Sequence, residues 1–326
     1  MRLETIARAT IEGFGLFIAV VVRPRAGRIL VRAPGTIALV ITATVLGLAA
    51  SELTIRHVQL RPGEWLLADE EPRRQPDARL GWTFAPARDG RKIVNGRTID
   101  YAMDPAGYRV RRVDEPVDPA RATIVFTGES VMCGEGLTWE ESIPAQVAAM
   151  TGIQSADLAV HGYSNDQAYL RLQTELPRFR HPVAVVSIFM TTLFGRNLDD
   201  DRPHLGPGLV WESSVPRWRL TAIGKLFFPY RSDAAVERGI AVTRAVFGAT
   251  ADLARARGAV PLLVVPQFAP EDGPEEALRR RVLDDTGLPY VMVQLDPAWR
   301  LPLDQHPDAR AAHAIAEAVA GRLRMH

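Results

Sequence analysis

From residue 121 onward, short apolar runs alternate with segments of helical periodicity. The apolar runs cover residues 123–127, 156–160, 183–189, 260–265 and 290–295. Helical patterns separate them near 139–151, 165–178, 232–257 and 274–285, and a last helix is expected at about 307–324. Strands that alternate with helices predict a parallel sheet covered on both faces. The expected fold class is therefore α/β, a three-layer αβα domain of the flavodoxin-like kind with a five-stranded parallel sheet.

A long apolar run comes before this pattern. Residues 33–51 carry no charge, and at 1.5 Å per residue a helix over them would be about 28 Å long, close to the thickness of a bilayer core. This run predicts a single membrane-spanning helix, whereas a signal peptide or a core helix would be alternatives. A signal peptide is disfavoured by the long segment before the run, and a core helix by the lack of a polar face. The earlier run at 13–22 is too short to span and predicts an interfacial anchor helix.

The arginines around the predicted span are distributed unevenly. Six precede it, at positions 2, 8, 23, 25, 28 and 32, and only Arg56 and Arg61 follow closely. The positive-inside rule then places the N-terminus in the cytoplasm. The predicted location is the inner (cytoplasmic) membrane, crossed once, with the bulk of the chain on the extracytoplasmic side.

Residues 56–120 are rich in Pro, Arg and Asp and predict a tether that carries a small β module. An alternating stretch at 91–101 contains Asn95-Gly96, which is typical of a β-hairpin turn. The expected division is 1–55 for the N-terminal segment and anchor, 56–120 for the tether and β module, and 121–326 for the α/β domain. The irregular stretch from Asp199 to Tyr230 predicts a substrate-selective wall or lid, with Trp211 and Trp218 either lining it or packing it onto the body.

Composition narrows the classes of partner. The 326 residues carry a formal net charge of +1 without a block of Lys and Arg, which argues against nucleic acid as the main partner. The single cysteine, Cys133, permits no internal disulfide and predicts a small buried side chain. No His pair at helical spacing and no CxxC motif is present, so neither a metal nor another cofactor is expected.

Candidate chemistry lies in two distant stretches. Thr123–Gly136 predicts a strand that ends at Gly128-Glu129-Ser130 before a helix, which places Ser130 at the sheet edge where ligands bind. Near the other end, Asp304 and His306 stand two residues apart before the last helical pattern. A serine, an acid and an imidazole are the parts of a nucleophilic site in which Ser130 attacks, His306 is the base and Asp304 orients it.

With these blocks the chain resembles the SGNH (GDSL-like) hydrolase superfamily over roughly residues 75–324. Glu129 stands where the superfamily usually has Asp, and the run after Ser130 resembles membrane-tethered members. The resemblance at 160–167 implies that the N–H of Gly162 joins that of Ser130 in an oxyanion hole. The superfamily commonly places the acid three residues before the His, but position 303 is Leu303, which leaves Asp304. A side-chain oxyanion donor would be Asn197, with Thr192 and Asn165 as alternatives.

The function that the resemblance implies is a membrane-anchored serine esterase or O-acyl transferase. Its expected substrate is an O-acyl ester, including acetyl, of an envelope or secreted glycan. A lipase-like hydrolase of membrane lipid and a non-catalytic binding protein of the same fold are the alternatives. The membrane, through the N-terminal helix, and the ester substrate are the expected partners, and no protein partner is indicated.

Overall fold

The computed structural model describes residues 34–57, 71–198, 202–213, 232–302 and 304–325. The chain divides into two compact units, Met1–Trp65 with Pro216–Arg231, and Leu66–Val215 with Ser232–His326. In the first unit the described part is one helix, α1 (Pro34–His57). The predicted anchor helix at 13–22 and most of the predicted lid at 199–230 lie outside the described residues.

The membrane prediction is corrected by the helices of the described ranges. Among these, α1 included, none combines the length and the apolar character that a bilayer crossing requires. Helix α1 has 24 residues, but it carries Thr44, Ser51, Glu52 and Thr54. The three hydroxyl groups each donate to the carbonyl four residues earlier, at 2.8 Å. The predicted membrane-spanning helix, and the single-pass inner-membrane location inferred from it, are therefore wrong.

The second unit is built on one large sheet. Its eight strands lie in the order β12-β11-β8-β6-β7-β5-β4-β3. They are β3 (Arg88–Val94), β4 (Arg97–Met103), β5 (Arg109–Val110), β6 (Ala122–Phe126), β7 (Gln154–Asp157), β8 (His181–Ile188), β11 (Val260–Gln267) and β12 (Tyr290–Gln294). Two antiparallel ribbons accompany it, β1 (Arg74–Asp77) with β2 (Gly81–Phe84), and β9 (His204–Leu205) with β10 (Trp211–Glu212).

The predicted fold class is wrong in the kind of sheet. Strands β12, β11, β8, β6 and β7 pair in parallel, but β5, β4 and β3 continue the same sheet antiparallel from the edge of β7. The sheet is therefore mixed and eight-stranded. The hairpin at Asn95-Gly96 is present, with φ of 51° and 77°, the left-handed conformation that a tight hairpin turn uses. It is part of the main sheet and does not form a separate β module.

Helices cover both faces of the sheet. They are α2 (Ser130–Cys133), α3 (Ile143–Thr151), α4 (Asn165–Glu175), α5 (Asp233–Ala256), α6 (Gly273–Val282) and α7 (Ala309–Leu323). Helices α3 and α7 share a core cluster with the hairpin β3–β4, in which Ile99, Val147 and Ile315 are fully buried. Helices α4, α5 and α6 contribute to the clusters formed by Leu172 and Val282 with their neighbours. Short 3₁₀ segments cover Leu176–Arg178, Thr191–Leu198, Pro207–Leu209 and Asp284–Thr286.

The strand order creates a switch point beside β6. The chain passes from β6 to its neighbour β7 and then crosses to β8 on the other side. In open parallel sheets ligands bind outside the carboxyl ends of the strands at such a point. The segments that follow β6, β7 and β8 begin at Thr127, Leu158 and Phe189 and carry part of the candidate site, and the loop after β12 carries Asp304 and His306.

Candidate active site

The turn after β6 places Ser130 at the first position of α2. Glu129 caps this helix, because its carboxylate accepts a hydrogen bond from the Val131 N–H at 3.1 Å. Gly128 is needed at this point, since a Cβ there would lie 2.6 Å from Ile188 Cγ2 and 3.0 Å from Met132 Cβ. The side chain of Ser130 is fully buried at the base of the site.

Ser130, His306 and Asp304 form a hydrogen-bonded series across the chain. His306 Nε2 lies 2.8 Å from Ser130 Oγ, and His306 Nδ1 contacts Asp304 Oδ1 on the other side of the ring. A carboxylate at Nδ1 fixes the tautomer that leaves Nε2 able to accept a proton from a hydroxyl group. The structure thus brings together the three residues expected to carry the chemistry.

The backbone between the acid and the imidazole is left-handed. Gln305 has a φ of 52°, which is uncommon for a residue other than glycine. This turn lets two residues only two apart in sequence direct their side chains at each other. Arg300 supports the turn by donating to the Gln305 carbonyl at 2.6 Å, and the Leu301 N–H donates to the His306 carbonyl at 2.7 Å.

The surroundings of His306 favour its charged form. Burial alone would lower the pKa of the imidazole, but the hydrogen bond and charge of Asp304, with the charges of Glu129 and Glu135, raise this pKa above its ordinary value. An imidazole with this environment accepts a proton readily from a hydroxyl group. The charge that forms on it would be stabilised by Asp304.

A second acceptor competes for the hydroxyl proton of Ser130. Glu129 Oε2 lies 2.7 Å from Ser130 Oγ, and Arg196 Nη1 lies 3.5 Å from the same carboxylate oxygen. Glu129 Oε1 is buried and has no hydrogen-bond partner among the described residues. Burial lowers the pKa of Arg196. The charge of Glu129 partly opposes this shift, and the charge of Arg202 lowers the pKa further. A hydroxyl carries one proton, so Ser130 donates either to His306 or to Glu129 at a given moment.

Backbone N–H groups are available beside the serine. Within the described residues, neither the N–H of Ser130 nor that of Gly162 donates a hydrogen bond. Gly162 follows β7 with a φ of 81°, where a side chain would be strained, and a Cβ there would meet Trp82 at 3.4 Å. Free N–H groups at the end of a buried strand can donate hydrogen bonds to the negatively charged oxygen of a tetrahedral intermediate.

The three side chains expected as possible oxyanion donors either form hydrogen bonds within the fold or are exposed. Asn197 lies in the 3₁₀ segment Thr191–Leu198, and its amide nitrogen donates to Asn165 Oδ1 and Thr243 Oγ1, both at 2.9 Å. Its amide oxygen accepts from the N–H of Asn165 at 3.0 Å. Because an amide NH₂ group has two hydrogens, both are used inside the fold. The side chain of Asn165 donates to the Ile188 carbonyl at 3.2 Å, and Thr192 is exposed.

A second imidazole, which the sequence motifs did not single out, lies beside the first. The rings of His161 and His306 have centroids 6.0 Å apart. Glu135 Oε2 lies 3.0 Å from His161 Nδ1, and Glu135 Oε1 accepts from Lys92 Nζ at 2.6 Å. Burial would raise the pKa of Glu135, but the hydrogen bond and charge of His161 and the ammonium group of Lys92 lower it to about 2. This carboxylate is therefore ionised at neutral pH.

Other titratable side chains of these segments make different contacts. Asp308 caps α7, where it accepts from the N–H groups of Arg310 and Ala311 at 2.9 and 3.1 Å. His313 lies on α7 and contacts Gln146 Oε1 at 2.5 Å. Cys133 is buried, and burial raises the pKa of its thiol well above the ordinary value. Within the described ranges, no group of three or more His, Cys, Asp and Glu side chains could hold a metal ion.

Comparisons with known proteins give matches among solved structures alone. No family model and no curated protein matches this chain. The crystal structure of Est24, a carbohydrate acetylesterase from Sinorhizobium meliloti, matches at 12% identity with a TM-score of 0.38, covering 63% of this chain and 99% of that one. A member of the lipolytic protein G-D-S-L family from Veillonella parvula matches at 10% identity with a TM-score of 0.37, covering 61% and 97%.

An acetyl xylan esterase, Est2A from Butyrivibrio proteoclasticus, matches at 10% identity with a TM-score of 0.38, covering 65% of each chain. The GDSL-like resemblance seen in the sequence is thus found again among solved structures. At these scores and identities the matches carry no argument about activity. The function is argued from the geometry of Ser130, His306 and Asp304.

Proposed function

We propose that this protein is a serine hydrolase of carboxylic esters. Ser130 is the nucleophile, His306 the general base and Asp304 the residue that orients the imidazole. The observation that carries the proposal is the contact of 2.8 Å between Ser130 Oγ and His306 Nε2, with Asp304 at the other ring nitrogen. Such contacts are within the reach that proton transfer from a nucleophile to its base requires.

The proposed reaction has two steps. In the first, Ser130 Oγ attacks the acyl carbon while its proton passes to His306 Nε2, and the resulting imidazolium gives that proton to the departing alcohol. The N–H groups of Ser130 and Gly162 would stabilise the oxyanion in between. In the second step His306 takes a proton from water while the water oxygen attacks the acyl carbon. The bond between that carbon and Ser130 Oγ then breaks, the imidazolium returns the proton to Oγ, and the acid is released. An alcohol in place of water would make the same site an O-acyl transferase.

The proposed substrate is an O-acyl ester of a sugar hydroxyl group with a small acyl group such as acetyl. Full burial of the Ser130 side chain supports a small acyl group. The tight packing of Ile188 and Met132 around Gly128 leaves little room on that side of the serine. The resemblance of the sequence to SGNH hydrolases makes sugar acetates the first substrates to test. A series of p-nitrophenyl esters from acetyl to long-chain acyl would test the acyl preference.

The test uses a fluorophosphonate probe and p-nitrophenyl acetate. We expect the wild-type protein to be labelled and to release p-nitrophenol. Ser130→Ala should remove labelling, and Ser130→Ala and His306→Ala should each remove nearly all hydrolysis. Because these residues act as one unit, the double variant should lose little more than either single variant.

His313→Ala is the matched control, because this histidine lies on α7 outside the site. It should be labelled and should turn over like the wild-type protein. Full hydrolysis by Ser130→Ala would show that the proposed function is wrong.

A further inference from the structure

A carboxylate and an amine hold the ring of His161 in place. Its Nδ1 faces Glu135, which is 2% exposed and ionised, and Glu135 is in turn bound to Lys92 of strand β3. An ionised carboxylate accepts hydrogen bonds and cannot donate them. Beside an ionised carboxylate Nδ1 keeps its proton in the neutral and in the charged ring, so Nε2 is the nitrogen left for a partner outside the protein.

The free nitrogen of this ring is directed away from the buried carboxylate. In an imidazole, Nδ1 and Nε2 lie on different sides of the ring, so Nε2 cannot face Glu135 as well. Among the described residues Nε2 has no hydrogen-bond partner, and it is not one of the buried polar atoms left unpaired. The side chains of His161 and His306 are both 21% exposed, so both rings border solvent.

The position of His161 also places it beside the reacting groups. It directly precedes Gly162, the N–H of which is a proposed oxyanion donor, and its ring is 6.0 Å from that of His306. Trp82 holds the same backbone segment, since its Nε1 donates to the His161 carbonyl at 3.0 Å. In the proposed reaction His306 gives its proton to the departing alcohol, so the alcohol lies next to the His306 ring.

We propose that His161 Nε2 forms a hydrogen bond with a second hydroxyl group on the alcohol moiety of the ester. The preferred substrates are then esters of polyhydroxy alcohols such as sugars, rather than esters of simple alkyl or aryl alcohols. This inference rests on the proposed esterase function. His161 is a binding residue, and Glu135 with Lys92 is its positioning pair.

The test compares two acetates that differ only in the alcohol. p-Nitrophenyl acetate has no second hydroxyl group, whereas a monoacetylated methyl glycoside has several. We expect His161→Ala to lower kcat/KM for the glycoside acetate about ten-fold, the effect of losing one hydrogen bond to bound substrate, mostly through a higher KM. For p-nitrophenyl acetate the change should stay within about two-fold, since no hydrogen bond is lost.

Two further variants separate binding from structure. In His161→Gln the side-chain amide can replace Nε2 as the hydrogen-bonding group, so most of the loss on the glycoside acetate should be recovered. His181→Ala is the control, because this exposed histidine begins β8 at the opposite end of the strand from the site. It should leave both substrates unaffected.

The outcomes distinguish this inference from the function on which it rests. An equal loss on both substrates, no loss on either, or no recovery in His161→Gln would overturn the role of His161 and leave the esterase intact. A wild-type protein that is inert towards both esters and towards the fluorophosphonate would overturn the esterase function, and the inference with it.

Discussion

Glu129, the residue next to the serine, competes with His306 for the hydroxyl proton of Ser130. Glu129 and His306 both lie within hydrogen-bonding distance of Ser130 Oγ, at 2.7 and 2.8 Å. In the proposed mechanism donation to His306 is the productive arrangement, because only the imidazole returns the proton to the leaving alcohol. The charge of Arg196, 3.5 Å from Glu129, weakens the carboxylate as a competitor.

The first prediction concerns the acid side of the pH profile. The charge of Glu129 is one of the causes that raise the pKa of His306. The base is inactive when protonated, so kcat/KM should fall as the pH drops through this raised pKa. Glu129→Gln removes the negative charge and should lower the pKa of His306, which moves the fall in kcat/KM to lower pH.

The measurement is kcat/KM for p-nitrophenyl acetate across the acid range. Glu317→Gln, on the exposed face of α7, is the control and should keep the wild-type profile. A profile for Glu129→Gln that stays in place or moves to higher pH would contradict the electrostatic role of Glu129.

At this scale the sequence led to the three residues of the proposed triad and missed their neighbours. Ser130, Asp304 and His306 stand in short blocks with recognisable spacing, which made a hypothesis about them possible. Lys92, Glu135 and His161 lie in three separate segments, and only the pairing of β3 within the sheet brings them together. His161 did carry a signal, since it directly precedes the predicted oxyanion glycine, Gly162.

The element that aims the acid and the base is the loop between β12 and α7. Its ends are joined by a bridge between Arg300 and Pro307, and the Asp308 N–H donates to the Trp299 carbonyl at 3.0 Å. These contacts hold Gln305 in its left-handed conformation. Conformational strain of this kind costs about 1–3 kcal/mol and persists where the surrounding contacts fix the backbone.

The prediction for this element is that the backbone conformation of Gln305 matters more than its side chain. Asn adopts left-handed φ values readily, whereas a β-branched residue does so only with strain. Gln305→Asn should therefore keep wild-type kcat. Gln305→Val should lower kcat about ten- to a hundred-fold, the effect expected when a catalytic group moves by about 1 Å.

Both variants are assayed with p-nitrophenyl acetate, and their thermal unfolding is measured in parallel. Equal activity of Gln305→Val and Gln305→Asn would show that the turn does not position His306. Unfolding of Gln305→Val at the assay temperature would be visible in the thermal scan and would be separated from a loss of positioning.

The periodicity of the sequence located several strands but did not show how the strands pair in the sheet. The apolar runs at 123–127, 183–189 and 260–265 fall on β6, β8 and β11 within a few residues. The two-residue strand β5 is too short to give a periodic pattern, yet it joins the hairpin β3–β4 to β7. Without it, the hairpin could only be expected as a separate module.

At the scale of the whole second unit, residues on either side of position 120 share one core. Trp82, Ile99 and Met103 belong to the same buried cluster as Phe126, Val186 and Ile315. Arg109 of β5 is 1% exposed and donates to the carbonyls of Gly134 and Leu137 at 2.7 and 2.5 Å, and also to that of Cys133. The antiparallel strands therefore support the turn that follows Ser130.

The apolar run near the N-terminus led to the wrong prediction of a membrane-spanning helix. The absence of charge from 33 to 51 and the lack of a polar face favoured a membrane span. The described helix extends to His57 and includes hydroxyl groups and Glu52, and no helix of the described ranges is apolar enough to cross a bilayer. Hydroxyl groups make this helix less apolar without adding charge.

The last prediction is that the antiparallel and parallel parts of the sheet unfold as one cooperative unit. Tyr101 of β4 accepts a hydrogen bond from the Gly136 N–H at 2.8 Å through its buried hydroxyl group. Tyr101→Phe leaves that N–H unpaired, which should lower the free energy of unfolding by about 1–3 kcal/mol. If unfolding is cooperative, hydrogen exchange should quicken by the same factor in peptides covering 97–103 and 122–126.

Ile93→Thr, at a side chain 76% exposed on the same hairpin, is the control and should change exchange little. Faster exchange confined to 97–103 would mean that the hairpin opens by itself, and Lys92 would then leave Glu135 without unfolding the rest of the unit.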